Sequence, residues 1–144
     1  MKTIKDIMTR EVDYCTILDN SYEAALKMKE KDVGVIPVVN ESGAIEGIIT
    51  DRDIAIRGVA SKRPGSSRIT EIMTKNVITA TPDMTVEEAE ELMSEAQIRR
   101  LPVIDNGKLA GIVALKDLAV HRETDLAAGM ALKAISEDRG EIQQ

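Results

Sequence analysis

The sequence contains an internal duplication, which constrains the fold more than any other feature. The stretch DIMTREV at residues 6–12 returns as EIMTKNV at 71–77, and IPVVNESGAIEGIITDRDIA at 36–55 returns as LPVIDNGKLAGIVALKDLA at 101–119. The second copy lacks one residue, which falls between the apolar runs of the longer stretch. Because duplication governs the whole architecture, we expect two copies of one substructure.

The two repeats are joined by SKRPGSSR, whose Pro, Gly and Ser content is typical of a connector. Each repeat has only about sixty residues and would bury little surface alone. We therefore expect the repeats, residues 1–62 and 63–122, to pack as one pseudo-twofold domain. Residues 123–144 are expected to form a C-terminal helix and tail.

Each repeat predicts the order strand, helix, strand, strand, helix, and hence a protein of the α/β (α+β) class. Helices are expected after Ser21 and after Thr85, where apolar residues recur at helical spacing. The runs GVIPVVN and AIEGIIT, separated by ESG, predict a hairpin, and DRDIAIRGVA predicts a closing helix. VDYCTI and NVITAT predict short strands, and Thr3 with Asp6 predicts the capped start of a short first helix.

Composition and charge exclude several classes of function. A net charge of -6, a pI near 4.9 and the absence of Trp and Phe argue against nucleic-acid binding, which uses basic residues and stacking rings. One cysteine and one histidine leave no disulfide, no zinc site and no catalytic triad, so we expect neither a metal nor catalytic residues. The longest apolar stretch, VGVIPVV, is too short to cross a bilayer and the N-terminus lacks a signal-peptide core, so we expect a cytoplasmic protein without a membrane partner.

Several residues need no ligand to explain them. Cys15 lies in a predicted strand and is interpreted as a small core residue. His121 is interpreted as a helix-end charge, and the glutamates between positions 87 and 95 as a solvated helix face. The stretch ETDLAAGMALKAISEDR predicts a further amphipathic helix for packing or pairing, with apolar residues at Leu126, Met130 and Ile135.

The candidate chemistry lies where GIITDRDIA brings an apolar strand to a stop. Thr50 ends the strand, and Asp53 follows in the first turn of the next helix. A threonine hydroxyl at such a junction can donate to a phosphate oxygen, and a carboxylate can accept hydrogen bonds from a ribose diol. The alternative is that both residues cap the helix, a role worth about 1 kcal/mol. Spacing alone favours capping.

The recurrence shifts that balance. The arrangement IMT…IPVV…GIITDRDIA and IMT…LPVID…GIVALKDLA resembles a tandem pair of cystathionine-beta-synthase (CBS) domains, often called a Bateman module. The resemblance covers roughly residues 4–121 and rests on order, spacing and duplication together. It implies a regulatory, non-catalytic module that binds an adenosine derivative in a cleft between the repeats.

Transferred residue by residue, the resemblance implies a phosphate contact at Thr50 and a ribose contact at Asp53. In the second repeat Asp117 matches the motif, but Ala114 replaces the hydroxyl residue. The second cleft is therefore expected to be weaker, altered or empty.

Two adjacent arginines, Arg99 and Arg100, precede the LPV strand, where the family often carries basic residues that reach the phosphates. A salt bridge at a helix end is an equal alternative for either one. The first repeat has Gly34, Val35 and Ile36 at the corresponding place, so the two clefts are expected to differ chemically. The rest of the implied ligand-binding set lies beside these motifs: Arg52, Lys116, Ile36, Pro37, Ile98, Thr79, Thr81 and Pro102.

These observations predict a regulatory sensor that requires no cofactor. Its expected ligand is AMP, ADP or ATP, with S-adenosylmethionine and NAD as alternatives. The response would pass to an unknown effector protein or to a second copy, and a homodimer is expected. The competing hypothesis is a structural dimerisation or partner-docking module with empty clefts.

Overall fold

The computed structural model describes residues 2–120 and 134–135. Contacts divide the chain into two compact units. We call residues 13–77 the central unit, and residues 1–12 with 78–144 the terminal unit. No helix within the described ranges is both long enough and apolar enough to span a bilayer.

The structure contains helices and strands in both units, which confirms the predicted α/β class. Their bounds, in chain order, are α1 (Ile4–Ile7), β1 (Cys15–Thr16), α2 (Ser21–Lys31), β2 (Val35–Val39), β3 (Ile45–Thr50), α3 (Asp51–Asp53), a π-helical segment (Ile54–Val59), a 3₁₀ turn (Ile69–Glu71), α4 (Val86–Ala96), β4 (Arg100–Asp105), β5 (Lys108–Ala114) and α5 (Leu115–Val120). The predicted strand in NVITAT is reduced to Ala80, which forms one parallel bridge with Val103.

The central unit is built on a three-stranded sheet in the order β1-β2-β3, with β1 parallel and β3 antiparallel to β2. The terminal unit has the antiparallel pair β4-β5. Aliphatic residues and methionine fill the core of each unit, because the chain has no Trp or Phe and both tyrosines are exposed. Cys15 is buried in the central core, as expected.

Both predicted hairpins are confirmed, and their loops explain the missing residue. The first loop is held by Asn40, whose side-chain oxygen accepts from the amides of Ser42 and Ala44 at 2.9 and 3.1 Å. The second loop is the pair Asn106 and Gly107, both at positive φ, which is the Asn-Gly pairing that a two-residue hairpin turn requires. The shorter turn therefore fits its sequence.

The two IMT segments, residues 6–12 and 71–77, each pack against the hairpin of the other repeat. Thr74, from the second copy of the segment, exchanges two backbone hydrogen bonds of 2.8 Å with Ile48 in β3. Thr9, from the first copy, pairs in the same way with Ile112 in β5. Because each IMT segment packs on the hairpin of the other repeat, the compact units do not coincide with the linear repeats. The division into residues 1–62 and 63–122 stays a prediction about the duplication alone.

A glycine makes each of these contacts possible. A Cβ atom on Gly47 would lie 2.6 Å from the Thr74 carbonyl oxygen, and one on Gly111 would lie 2.8 Å from that of Thr9. Both distances are shorter than van der Waals contact, so only glycine lets the IMT segment approach its strand.

Helix α4 confirms the predicted apolar face but not a fully solvated glutamate face. Val86, Ala89 and Met93 are buried in the terminal core. Glu90 is buried as well, at 3% exposure, and neither of its carboxylate oxygens has a hydrogen-bond partner among residues 2–120 and 134–135. The helical periodicity already places it beside the apolar stripe, a position that the glutamate-rich composition concealed.

The predicted C-terminal helix lies mostly outside the described residues. Residues 134–135 are helical, and Ile135 is buried in the core of the terminal unit at 2% exposure. Leu126, Met130 and His121 fall outside the described ranges.

Candidate functional site

The junction of β3 and α3 in the central unit holds Thr50 and Asp53 in a reciprocal capping box. The Asp53 amide donates to Thr50 Oγ1 at 2.9 Å, and the Thr50 amide donates to Asp53 Oδ2 at 3.1 Å. Both residues are buried, at 6% and 7% exposure. The capping interpretation is therefore confirmed. The hydroxyl proton of Thr50 has no acceptor within the described part of the chain, so a ligand role is compatible with this cap.

The Asp53 carboxylate also joins the start of the helix to the IMT segment of the central unit. Thr74 Oγ1 donates to its two oxygens at 3.2 and 3.0 Å. Arg57 Nε lies 3.8 Å from Asp53 Oδ1, and Arg57 Nη1 donates to the Met73 carbonyl oxygen at 3.0 Å. Sequence reasoning assigned no role to Thr74 or Arg57. The available signal was the Thr that both IMT segments carry.

The corresponding junction of β5 and α5 in the terminal unit keeps only half of this arrangement. The Ala114 amide donates to Asp117 Oδ2 at 3.1 Å, as the Thr50 amide does to Asp53. Ala114 has no hydroxyl to return the bond. The other Asp117 oxygen accepts no hydrogen bond from the described residues, and the side chain is half-buried. This carboxylate is available to a ligand.

Cations surround the junction in the terminal unit. Arg100 lies directly opposite Ala114 in the register of β4 and β5, and the Arg99 carbonyl oxygen accepts from the Leu115 amide at 2.8 Å. No ion pair or side-chain hydrogen bond connects either arginine to another residue of the described ranges. The salt-bridge alternative thus finds no partner there. Lys116 is exposed one residue before Asp117.

The central junction has a different charge at the same positions. Val35 lies opposite Thr50, and the Gly34 carbonyl oxygen accepts from the Asp51 amide at 2.9 Å. Gly34 leaves room for the Asp51 carboxylate, which lies 3.0 Å from where a Cβ atom would stand. Arg52 is the cation between Asp51 and Asp53. Two carboxylates, Arg52 and the Arg57 guanidinium beside Asp53 therefore occupy this junction, whereas Arg99, Arg100 and Lys116 accompany a single carboxylate at the other.

Most of the remaining predicted residues are wholly or partly buried. Ile36 and Ile98 are core residues at 1% and 0% exposure, and Pro37 and Pro102 are buried within β2 and β4. Thr79 is half-buried and precedes Ala80, the bridge partner of Val103.

Thr81 lies at the opposite end of β4 from Arg100, because the bridge between Ala80 and Val103 places it beside the hairpin loop. Its hydroxyl donates to Asp83 Oδ1 at 2.7 Å. It also lines an open cavity of about 450 Å³ with Lys5, Pro82, Asp83, Ile104, Asp105 and Asn106. The structure therefore does not bring Thr81 together with the arginines.

Metal and thiol chemistry find little support in the described residues. No group of three or more His, Cys, Asp or Glu side chains is placed to hold a metal ion in those ranges. Burial raises the pKa of the Cys15 thiol to about 11, so the thiol stays protonated near neutral pH. This state agrees with the interpretation of Cys15 as a core residue.

Comparison with known proteins places the chain among close sequence relatives. It is 51% identical over 138 residues to the uncharacterized protein YlbB of Bacillus subtilis, covering 95% of this chain and 93% of the relative. It is 45% identical over 136 residues to the CBS domain-containing protein YhcV of the same organism, covering 94% of this chain and 96% of the relative.

A solved structure and a family model agree with these relatives. The CBS domain pair of protein MJ0100, in complex with 5′-methylthioadenosine and S-adenosyl-L-methionine, matches with a TM-score of 0.71 and 33% identity over 83% of this chain and 94% of that one. The family model described as CBS domain matches twice, at residues 4–58 and 69–123. The chain therefore belongs to the CBS domain family and carries two CBS repeats.

Proposed function

We propose that this protein is a regulatory module that binds an adenosyl ligand at the ends of β3 and β5 and carries out no catalysis. One observation carries the proposal: the terminal junction combines two arginines without a partner in the described ranges and a half-buried carboxylate with a free oxygen. The ligands of the MJ0100 domain pair support the adenosyl class.

The charges suggest how the ligand is oriented at the terminal junction. Arg99 and Arg100 take the phosphates, because a guanidinium presents paired donors to phosphate oxygens. The free oxygen of Asp117 accepts from the ribose diol. This arrangement favours AMP, ADP or ATP over S-adenosylmethionine, which carries no phosphate, and NAD is a further phosphate-bearing candidate. Thr50 and Asp53 form a second adenosyl site at the central junction, where Gly34 and Val35 replace the paired arginines.

The experiment tests the contact to the phosphate separately from the contacts to the rest of the ligand. Isothermal titration calorimetry compares AMP with 5′-methylthioadenosine on the wild type and on Arg100→Ala. Loss of a charge-assisted bond of about 1.5 to 3 kcal/mol weakens AMP binding by roughly ten- to a hundred-fold. Binding of 5′-methylthioadenosine should change little.

The matched control is Lys108→Ala, which removes one positive charge from the other end of the same hairpin. It should leave both affinities near the wild-type values. An equal loss for AMP in the control would mean that general charge, and not a contact at Arg100, attracts the phosphate. No binding of any adenosyl compound to the wild type would overturn the proposal.

A second proposal, self-association, rests on a different surface. The exposed large apolar residues include Tyr22 and Leu26 on α2, and Ile56 and Val59 on the π-helical segment that packs beside α2. The terminal unit has glutamates at the positions of the first two, Glu87 and Glu91. We infer that a second copy covers this apolar face in a twofold homodimer, since such a patch is unusual on a monomer.

Sedimentation velocity tests the homodimer. Leu26→Glu places a charge at the centre of the face and should shift the wild-type dimer to monomer. Leu18→Glu alters an apolar residue that is more exposed than Leu26 and lies outside both helices, and it should leave the dimer intact. A wild-type monomer, or a dimer that tolerates Leu26→Glu, would contradict this surface.

A further inference from the structure

The Asp53 carboxylate is already engaged by other side chains before any ligand arrives. It accepts from the Thr50 amide and from the Thr74 hydroxyl, and the Arg57 guanidinium stands beside its other oxygen. Asp117, at the matching position, accepts one backbone bond within the described ranges. The same carboxylate is thus occupied in one unit and open in the other.

A ribose diol would have to approach a carboxylate that the Thr74 hydroxyl spans and that the Arg57 guanidinium flanks. Both oxygens of Asp53 face the Thr74 hydroxyl, and the side chain is 9% exposed, so little of the carboxylate is open to solvent. A ligand that bonds to Asp53 must therefore displace these donors, and its affinity is lowered by the free energy of the bonds that it breaks.

We propose that Thr74 and Arg57 form an autoinhibitory latch on Asp53, which an adenosyl ligand opens at the central junction. This inference rests on the proposed function and adds regulation to it. Thr74 and Arg57 act through Asp53 and are positioning residues. Opening the latch frees the IMT segment of the central unit, because Arg57 also holds the Met73 carbonyl oxygen.

The latch gives ligand binding a route to the rest of the chain. The IMT segment runs directly into Ile78, where the terminal unit resumes. Its backbone stays attached to β3 through the two bonds between Thr74 and Ile48, so release of the side chains loosens the segment without detaching it. A ligand at the central junction thereby loosens residues 71–77, which lead into the terminal unit.

The binding test uses 5′-methylthioadenosine and an Asp117→Asn background, which removes the ribose acceptor of the terminal junction and leaves the phosphate cations unused. Calorimetry compares this background with the same protein carrying Thr74→Val, which deletes the hydroxyl at nearly constant shape. Loss of one bond to a charged acceptor should tighten binding about tenfold. Thr74→Ser retains the hydroxyl and should bind as the background does.

Arg57→Gln in the same background is the second variant. The Arg57 side chain is 54% exposed, so its replacement should leave the fold intact, and we expect several-fold tighter binding. Unchanged or weaker binding in both Thr74→Val and Arg57→Gln would overturn the latch. The absence of binding in the background and in both variants would overturn it as well.

Hydrogen exchange distinguishes failure of the latch from failure of the proposed function. In the wild type, a saturating concentration of 5′-methylthioadenosine should speed exchange of the amides in residues 72–77. Ligand binding without that change would contradict the latch while the proposed function stands. If the wild type binds neither AMP nor 5′-methylthioadenosine, both ideas fall.

Discussion

The two strand-to-helix junctions of this protein share backbone hydrogen bonds and differ in the charged groups around them. In both, an aspartate accepts from the amide of the residue that ends the strand, at 3.1 Å. In the central unit the neighbouring positions hold a hydroxyl and two small apolar residues, whereas in the terminal unit they hold an alanine and two arginines. The two copies therefore share the hydrogen bond between the end of the strand and the aspartate, and they differ in the side chains of the proposed ligand sites.

This comparison bears on the expected ranking of the two sites. The completeness of the motif at Thr50 and Asp53 predicted the stronger site in the first repeat. The structure supplies a physical argument for the opposite ranking, because Asp53 is engaged by Thr74 and Arg57 while Asp117 has an oxygen to offer. The ranking of the two sites is a proposal that mutation can test.

The largest expected effect is on ligand affinity. Asp117→Ala should weaken AMP binding about ten- to a hundred-fold, because it removes hydrogen bonds to a charged acceptor worth roughly 1.5 to 3 kcal/mol. Asp53→Ala should weaken it less. Calorimetry on both variants measures the difference, and a greater loss for Asp53→Ala would restore the ranking that the sequence predicted.

The next prediction tests the close contact between a glycine and an IMT segment, which the two units share. Gly47→Ala and Gly111→Ala each force a Cβ atom against a backbone carbonyl oxygen, at 2.6 and 2.8 Å in the present geometry. We expect each to lower the free energy of unfolding by about 1–3 kcal/mol, measured by urea denaturation. Gly65→Ala is the control, since its nearest neighbour lies at 3.4 Å. A large loss in only one of the first two would show that the IMT contacts are not equivalent.

Glu90 separates the units in another way, because α2 has Ala25 at the corresponding position. Burial, with a smaller contribution from the Glu87 carboxylate, raises the pKa of Glu90 to about 7 from an ordinary 4.5. The folded state then holds a proton that the unfolded state releases, so the stability present at low pH falls as the pH rises from about 4.5 to about 7.

Glu90→Gln removes this titration. We expect it to stabilise the protein by roughly 1 to 3 kcal/mol at pH 8, where the wild type carries a buried charge, and to change little at pH 4.5. Urea denaturation at both pH values measures the difference. Glu95→Gln, on an exposed position of the same helix, is the control and should behave as the wild type. An equal gain at both pH values would mean that the Glu90 carboxyl does not titrate in this range.

The smallest effect exchanges the caps of the two junctions. Thr50→Ala should cost about 1 kcal/mol of stability, because the Asp53 amide loses its acceptor. Ala114→Thr should gain several tenths of a kcal/mol by completing the capping box with Asp117. Thermal unfolding of both variants checks the pair. If Ala114→Thr destabilises the protein, the two junctions differ in backbone and not only in side chains.

Much of the fold could be predicted from the sequence because its signals are local. The hairpins, the helix α4 and the capping boxes of Thr3 with Asp6 and of Thr50 with Asp53 all involve residues within a few positions of one another. The short strand expected in NVITAT was wrong. Its bridge to β4 is made at Ala80, and such a distant partner leaves no pattern in the stretch itself.

The sequence by itself determined the duplication, the order of elements and the residue types at each junction. Only the tertiary structure decided which IMT segment lies on which hairpin, since the two copies are so similar that local preferences cannot distinguish them. The same choice brings Thr74 to Asp53 and so decides which aspartate is occupied. The burial of Glu90 is likewise a feature of the tertiary structure. These features depend on contacts between residues far apart in the chain, whose free energy comes from the path of the whole backbone and not from any one segment.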